Sequence, residues 1–186
     1  MHDTAASIVW QPLQEADMDA VGAIAAQVHP ALPERLEVLA EKQRLFPAGC
    51  RKLMVEEAIC GYALAHPWLL AGPPALDAFL GGLPATPDCL FVHDVAVLPE
   101  ARGHGAGAAF MAEAEAVAVA RGWPAIGLVA AYGTARLWRR FGFQETGELI
   151  PPDKLAAYGA QACYLIRRLG RGPGGIAAAG FSRPAS

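Results

Sequence analysis

Three glycines within five residues, Gly103, Gly105 and Gly107, lie where an apolar segment gives way to an alanine-rich one. The apolar segment, residues 90–98, is typical of a buried strand, and the segment at about 105–121 is typical of a helix. The first turn of a helix has unpaired N–H groups, and glycine lets a ligand approach the backbone without a Cβ in the way. The junction therefore predicts an anion site, and a phosphate-bearing cofactor is the first hypothesis.

Composition and charge exclude several classes of protein. The chain has 186 residues, of which 54% are hydrophobic and 18% charged, enough for a single buried core. Its net charge of −3 is spread along the chain, so we expect no nucleic-acid partner. No apolar run approaches the roughly 20 residues of a membrane span, and the first residues lack a signal-peptide pattern. We therefore expect no membrane partner and a cytoplasmic location.

The cysteines and histidines do not have the spacing of metal ligands. The four cysteines are far apart and contain no CxxC pair, so we expect free core thiols. His2, His29 and His66 form no HxxxH or HExxH pair. We expect no metal site.

Hydrophobic periodicity and turn residues predict one α/β (α+β) domain, residues 1–169, followed by a flexible C-terminal tail, residues 170–186. The predicted strands are residues 8–13, 51–55, 59–66, 90–98, 125–131, 144–149 and 163–169. The predicted helices begin near Asp17, Pro33, Gly105 and Thr134. We expect a mixed, mostly antiparallel sheet of about six to seven strands flanked by helices. Its continuously apolar runs, 90–98 and 125–131, should be central, with the ligand at their carboxyl ends.

The glycine loop also fits the dinucleotide pattern G-x-G-x-x-G/A, but its context does not. In a dinucleotide fold the first glycine follows the strand directly, and an acidic residue about 20 positions later binds the ribose. Here residues 98–102 intervene, and the later region reads Arg121-Gly122-Trp123-Pro124. A Walker loop is excluded because no Gly-Lys-Ser/Thr follows.

Two blocks resemble motifs of the GNAT superfamily of acyl-CoA N-acyltransferases. Residues 95–108 match a strand, then Arg/Gln-x-x-Gly-x-Gly/Ala, then a helix, and residues 131–143 match a short helix ending in Gly-Phe. The order of elements from Ile8 to Leu169 is similar to the family throughout. The resemblance implies an N-acetyltransferase with acetyl-CoA as co-substrate.

By this resemblance, the pyrophosphate of coenzyme A lies on the N–H groups of residues 103–108, and the pantetheine pairs with residues 95–97. Backbone N–H near Val95 would also polarise the thioester carbonyl. Arg102 is either a phosphate contact or a solvated side chain, and Trp138 is expected to pack against pantetheine. The cofactor-binding candidates are Val95, Ala96, Val97, Arg102, Gly103, His104, Gly105, Ala106, Gly107, Ala108 and Trp138.

An attacking amine must lose a proton, and His93-Asp94 is the only ionisable pair inside the central strand. Because strand side chains alternate, we expect only one of the two to face the acceptor cleft. Asp94 is slightly preferred as base, with His93 as the alternative; a purely structural role for the pair is also open. Many relatives have a tyrosine where this chain has Trp138, so the coenzyme A thiolate either leaves unaided or receives a proton from Tyr132.

The acceptor is expected to be the amine of a small molecule. The family's usual asparagine is replaced by Ala131, which argues against a protein N-terminus, although protein N-terminal or lysine acetylation remains an alternative. The resemblance places the acceptor loops at residues 29–33, after His66, and at 150–159, with Trp68, Asp153 and Tyr158 as candidate contacts. A noncatalytic acyl-CoA-binding module is the rival from another class, and a homodimer is possible.

Overall fold

A computed structural model describes residues 8–146, 150 and 152–170 of the protein. The strands of this part are β1 Ile8–Pro12, β2 Arg51–Val55, β3 Ala58–Trp68, β4 Cys89–Val97, β5 Ala125–Ala130, β6 Gln144–Glu145 and β7 Cys163–Arg168. Its helices are α1 Met18–Val28, α2 Leu36–Leu45, α3 Ala106–Ala120, α4 Ala135–Arg139 and α5 Pro152–Leu155. Short 3₁₀ turns occupy Glu15–Asp17, Pro47–Gly49, Pro99–Ala101 and Ala156–Tyr158.

The seven strands form one sheet in the order β1-β2-β3-β4-β5-β7-β6. The pair β4–β5 is parallel, and the other paired neighbours are antiparallel. This confirms the predicted fold class, a single domain with a mixed, mostly antiparallel sheet. The parallel pair lies at the centre because both strands are apolar on both faces and helices cover each side.

Each face of the sheet has its own core. On one face, α3 packs Phe110, Met111 and Ala114 against residues of β4 and β5 that include Leu90 and Ile126. On the other face, α1 and α2 cover the end formed by β3 and the second half of β4. A third cluster on that same face lies over the start of β4 and over β7. The binding site described below lies between these clusters.

Several predicted boundaries needed correction. The second helix begins at Leu36 rather than at Pro33, because Arg35 has an extended backbone and its N–H donates to the Asp77 carboxylate at 2.8 Å. The carboxylate of Asp17 does not cap α1; it accepts hydrogen bonds from Lys52 Nζ and from the N–H of Gln14.

Two predicted segments reach beyond what the structure describes. The strand predicted for residues 144–149 is observed as β6, Gln144–Glu145, and residues 147–149 lie outside the described residues. The predicted tail also lies outside them, apart from Gly170.

Candidate functional site

The two central strands separate after a short parallel ladder. Pairing between β4 and β5 is confined to Leu90, Phe91 and Val92 on β4, yet β4 continues to Val97. Beyond Val92, backbone groups of β4 therefore face a gap rather than β5, and such groups require other hydrogen-bond partners. The gap opens at the carboxyl ends of the two strands, where the sequence predicted the ligand.

A β-bulge at His93 places both ionisable residues of β4 on the same face of the sheet. In the β3–β4 ladder Ala65 pairs with Val92 and Leu64 pairs with Asp94, so His93 has no partner of its own. A bulge of this kind reverses the alternation of the side chains that follow it. The expectation that only one of His93 and Asp94 faces the cleft is therefore wrong, and both line the same cavity.

The cavity at the gap has a volume of about 250 Å³. It is lined from both faces of the sheet, so it passes between β4 and β5. The end on the side of α4 is lined by Val92, Val95, Leu128, Thr134, Leu137 and Trp138, and we call it the cofactor end after the sequence-based prediction for Trp138. The end on the side of α1 and α2, which we call the acceptor end after the prediction for the loop 29–33, is lined by residues that include Gly22, Ala25, His29, Leu32, Glu34, Leu39, Tyr62, Leu76 and Tyr158.

The glycine loop has the backbone conformation that its sequence demands. Gly103 and Gly105 have φ values of +81° and +78°, and a Cβ built on either would meet no atom within 4 Å. Helical pairing starts with the N–H of Ala109, which donates to Gly105 at 3.0 Å. Among the described residues, the N–H groups from Gly103 to Ala108 donate to no backbone carbonyl. These N–H groups are therefore free to bind a ligand at the start of α3, where the sequence predicts an anion site.

The other cofactor candidates have distinct environments. Arg102 donates from Nε to the carbonyl of Val97 at 2.9 Å and is exposed, so it ties the loop to the end of β4. His104 is exposed, and Ala96 is fully buried on the α1–α2 face. Trp138 lines the cavity and packs edge-on against Phe143, with ring centroids 5.8 Å apart.

Asp94 has two partners at the acceptor end. The Tyr62 hydroxyl donates to its Oδ2 at 2.5 Å, and His29 Nε2 lies 2.9 Å from its Oδ1. The His29 contact is at ion-pair distance without the alignment of a hydrogen bond. Burial alone lowers the pKa of His29, but the adjacent carboxylate outweighs it and holds that pKa above its ordinary value. Burial and the same carboxylate raise the pKa of Tyr62.

His93 is paired with a different carboxylate. Its Nε2 lies 3.0 and 3.1 Å from the two carboxylate oxygens of Glu34, and its side chain is only 1% exposed. Glu34 also accepts the backbone N–H of Asp77 at 3.0 Å. Burial alone raises the pKa of Glu34, but the hydrogen bond and charge of His93 outweigh it, so that pKa lies below its ordinary value.

Tyr132 lies at the rim of the cavity rather than deep within it. Its backbone has a φ of +52°, its ring stacks on His29 with centroids 5.7 Å apart, and its side chain is half exposed. Burial raises the pKa of its hydroxyl, which faces the backbone of Ala31 and Leu32. The proton-donor role assigned to Tyr132 stays a prediction.

Charged residues of α2 and of the loop that precedes it bind residues 77–81 next to the acceptor end. Arg35 Nε bonds the Asp77 carboxylate at 3.0 and 3.2 Å, and Glu41 accepts the N–H groups of Leu80 and Gly81. Nearby, the Tyr158 hydroxyl donates to the Pro74 carbonyl at 2.9 Å. We call these contacts the clasp.

Of the three acceptor contacts predicted from sequence, Tyr158 lines the cavity. Trp68 instead packs in the cluster over β7 and donates to the Gly72 carbonyl at 2.7 Å. The side chain of Asp153 lies outside the described residues. Sequence reasoning missed Glu34 and Tyr62, and it gave His29 no chemical role, although the loop 29–33 had been assigned to the acceptor side.

Cys50, Cys60 and Cys89 are free and buried, as expected, whereas Cys163 is free and partly exposed. The described residues contain no cluster of three or more His, Cys, Asp and Glu side chains that could hold a metal ion. None of the described helices is long and apolar enough to cross a membrane.

Comparison with known proteins identifies the class. The model of the acetyltransferase (GNAT) family matches residues 15–143, so the chain belongs to this family. The comparison with curated protein sequences gives no match.

Similar solved structures share the fold at low sequence identity. Ard1 from Thermoplasma volcanium is 14% identical, with a TM-score of 0.67 over 87% of this chain and 97% of its own. The GphF GNAT-like decarboxylase, solved with isobutyryl-CoA, is 20% identical, with a TM-score of 0.68 over 86% of this chain and 98% of its own. N-acetylglutamate synthase from Neisseria gonorrhoeae, solved with coenzyme A and N-acetyl-glutamate, is 19% identical, with a TM-score of 0.68 over 90% of this chain and 36% of its own.

Proposed function

We propose that this protein transfers an acetyl group from acetyl-CoA to the primary amine of a small molecule, by direct attack of the amine on the thioester. The observation that carries the proposal is one continuous cavity. It joins the gap beside the glycine loop to a carboxylate with two polar partners at the acceptor end. Family membership and the acyl-CoA complex of a structural neighbour support the same cofactor.

The backbone supplies the binding site for the cofactor. The diphosphate accepts hydrogen bonds from the N–H groups of residues 103–108, next to the positive end of the α3 dipole. The pantetheine amides fill the gap beside residues 95–97, where β4 has no partner on the β5 side. An N–H near Val95 then polarises the thioester carbonyl.

The structure's geometry favours Asp94 over His93 as the group that receives the ammonium proton. Asp94 is 14% exposed and lies beside His29, which is itself 21% exposed, whereas His93 is 1% exposed and occupied by Glu34. An ammonium group with a pKa near 10 gives its proton to the Asp94–His29 pair. The neutral nitrogen then attacks the carbonyl carbon, the C–S bond breaks, the nitrogen of the product loses its second proton to solvent, and the thiolate is protonated by solvent or by Tyr132. In this scheme His93 positions Glu34.

The clasp supports a small acceptor rather than a polypeptide. Leu76 lines the acceptor end, and the segment that carries it is fixed by Arg35, Glu41 and Tyr158. A polypeptide acceptor needs an open groove for the residues that follow its reactive amine. Peptide substrates are therefore expected to react poorly, in contrast to the neighbour Naa50 from Arabidopsis thaliana, which was solved with the bisubstrate analogue CoA-Ac-MVNAL.

The experiment is release of free thiol from acetyl-CoA in the presence of a panel of primary amines. Asp94→Asn should lower kcat by at least about 100-fold, within the range that general acid–base groups contribute. Asp17→Asn is the matched control, because Asp17 is equally exposed, at 14%, and also has an ion-pair partner at 2.9 Å, but lies outside the cavity. Equal kcat in the two variants would exclude Asp94 as the proton acceptor.

A noncatalytic acyl-CoA-binding module is the second candidate, favoured by one feature. Trp138, whose indole does not serve as an acid, stands where many relatives have a tyrosine. Binding of coenzyme A by calorimetry without thiol release from any amine would establish this candidate.

A further inference from the structure

We propose that the acceptor is a monocationic amine on an apolar body, with no carboxylate beside the amine. This inference rests on the proposed function, since it names the substrate class of that same site. Among the described residues, the acceptor end of the cavity has one carboxylate oxygen open to a new cation, no lysine or arginine to pair with an anion, and apolar walls.

The available negative charge is that of Asp94. Among the described residues, two acidic side chains, Glu34 and Asp94, line the cavity. Both carboxylate oxygens of Glu34 contact the Nε2 of His93, and one also accepts the N–H of Asp77, so neither oxygen of Glu34 lacks a hydrogen-bond partner. Asp94 accepts one hydrogen bond, from Tyr62, and faces His29 without an aligned bond. An ammonium group therefore finds its partner at Asp94.

A carboxylate on the acceptor would lack a cation of its own, because His29 already faces Asp94. No lysine or arginine of the described residues lines the cavity. The nearby cations already have partners: Lys42 Nζ is buried against the carbonyls of Val38 and Ala78 at 3.3 Å each, and Arg35 binds Asp77. A buried carboxylate without a cation, close to the carboxylate of Asp94, is strongly unfavourable.

The rest of the acceptor end suits an apolar body. Its walls include Ala25, Leu32, Leu39 and Leu76. The hydroxyl of Tyr158 donates its hydrogen bond to the Pro74 carbonyl, and the hydroxyl of Tyr62 donates its hydrogen bond to Asp94. Hydroxyl or amide groups on the acceptor body would lose hydrogen bonds to water without replacing them.

Three ligands with the same phenylethylamine skeleton test whether a carboxylate beside the amine is excluded: 2-phenylethylamine, L-phenylalanine amide and L-phenylalanine. The amide and the acid differ by a carboxamide in place of a carboxylate. For the whole protein with acetyl-CoA, we expect kcat/KM to be at least about 100-fold lower for L-phenylalanine than for its amide. Calorimetric titration of the same ligands into the protein with bound coenzyme A should give the same order of affinities. The kcat/KM for pentylamine should likewise exceed that for 1,5-diaminopentane, because the second ammonium group of the diamine would lie against apolar walls.

The outcomes separate this inference from the proposed function. Comparable kcat/KM values for L-phenylalanine and its amide, or faster reaction of the diamine, would overturn the substrate class and leave acetyl transfer intact. Selective binding of 2-phenylethylamine to the coenzyme A complex without thiol release would support the ligand class and refute catalysis. Binding of neither the amine nor the amide would refute the substrate class.

Discussion

Substitution of Gly105 by alanine tests the glycine loop most directly. Gly105 precedes the first residue of α3 with a φ of +78°, so the new side chain imposes backbone strain of about 1–2 kcal/mol. Its Cβ has no neighbour within 4 Å in the protein, so no further loss of stability is expected. It would, however, project beside the N–H groups that are proposed to hold the diphosphate. Displacing the ligand from one charge-assisted hydrogen bond costs about 1.5–3 kcal/mol, which is about 10- to 150-fold in Kd.

Gly122 provides the control. It lies just beyond the other end of α3, roughly 25 Å away, with a φ of +72° and again no atom within 4 Å of a built Cβ. Gly105→Ala and Gly122→Ala should therefore unfold at similar urea concentrations, while calorimetry with coenzyme A detects weaker binding in Gly105→Ala alone. The same Kd in both variants would refute the assignment of the loop to the diphosphate.

Three further predictions concern proton transfer, acid stability and packing. Since Asp94 raises the pKa of His29, Asp94→Asn should lower that pKa and move the acidic limb of the kcat/KM profile to lower pH; an unmoved limb would exclude His29 as the titrating group. Burial lowers the pKa of His66 to about 3, so the unfolded chain takes up a proton below about pH 6.5 that the native protein does not. Stability should therefore fall as the pH decreases from about 6.5 towards 3, by up to about 1.4 kcal/mol per pH unit, and His66→Phe should flatten this slope in urea unfolding at pH 4.5 and 6.5. Trp138→Phe should weaken coenzyme A binding by roughly tenfold or less, through lost apolar contact, without altering the pH profile of turnover; a shifted profile would contradict a packing role.

Local signals in the sequence predicted the glycine loop, the helix after it and the central position of β4 and β5. Each of these features depends on residues close together in the chain. Gly103 and Gly105, for example, can adopt positive φ values because they have no side chain. The family followed from two such local blocks and is confirmed by the match over residues 15–143.

The partners in the site could not be predicted in this way. Tyr62 and Asp94 are 32 positions apart, and Glu34 and His93 are 59 apart, so no helical or strand periodicity connects them. The bulge was missed for a different reason. It depends on the register of β4 against β3, which alternation within β4 alone does not reveal.

This offset at residue 93 has a practical consequence for protein engineering. In the first half of the strand, odd-numbered positions such as Phe91 lie on the α1–α2 side, whereas in the second half even-numbered positions such as Ala96 do so. A mutant library intended to reshape the substrate pocket must therefore vary odd-numbered positions in the first half of this strand and even-numbered positions in the second half. Deleting the codon for His93 would instead remove the bulge and restore simple alternation, with Val92 still under α3 and Asp94 still facing the pocket.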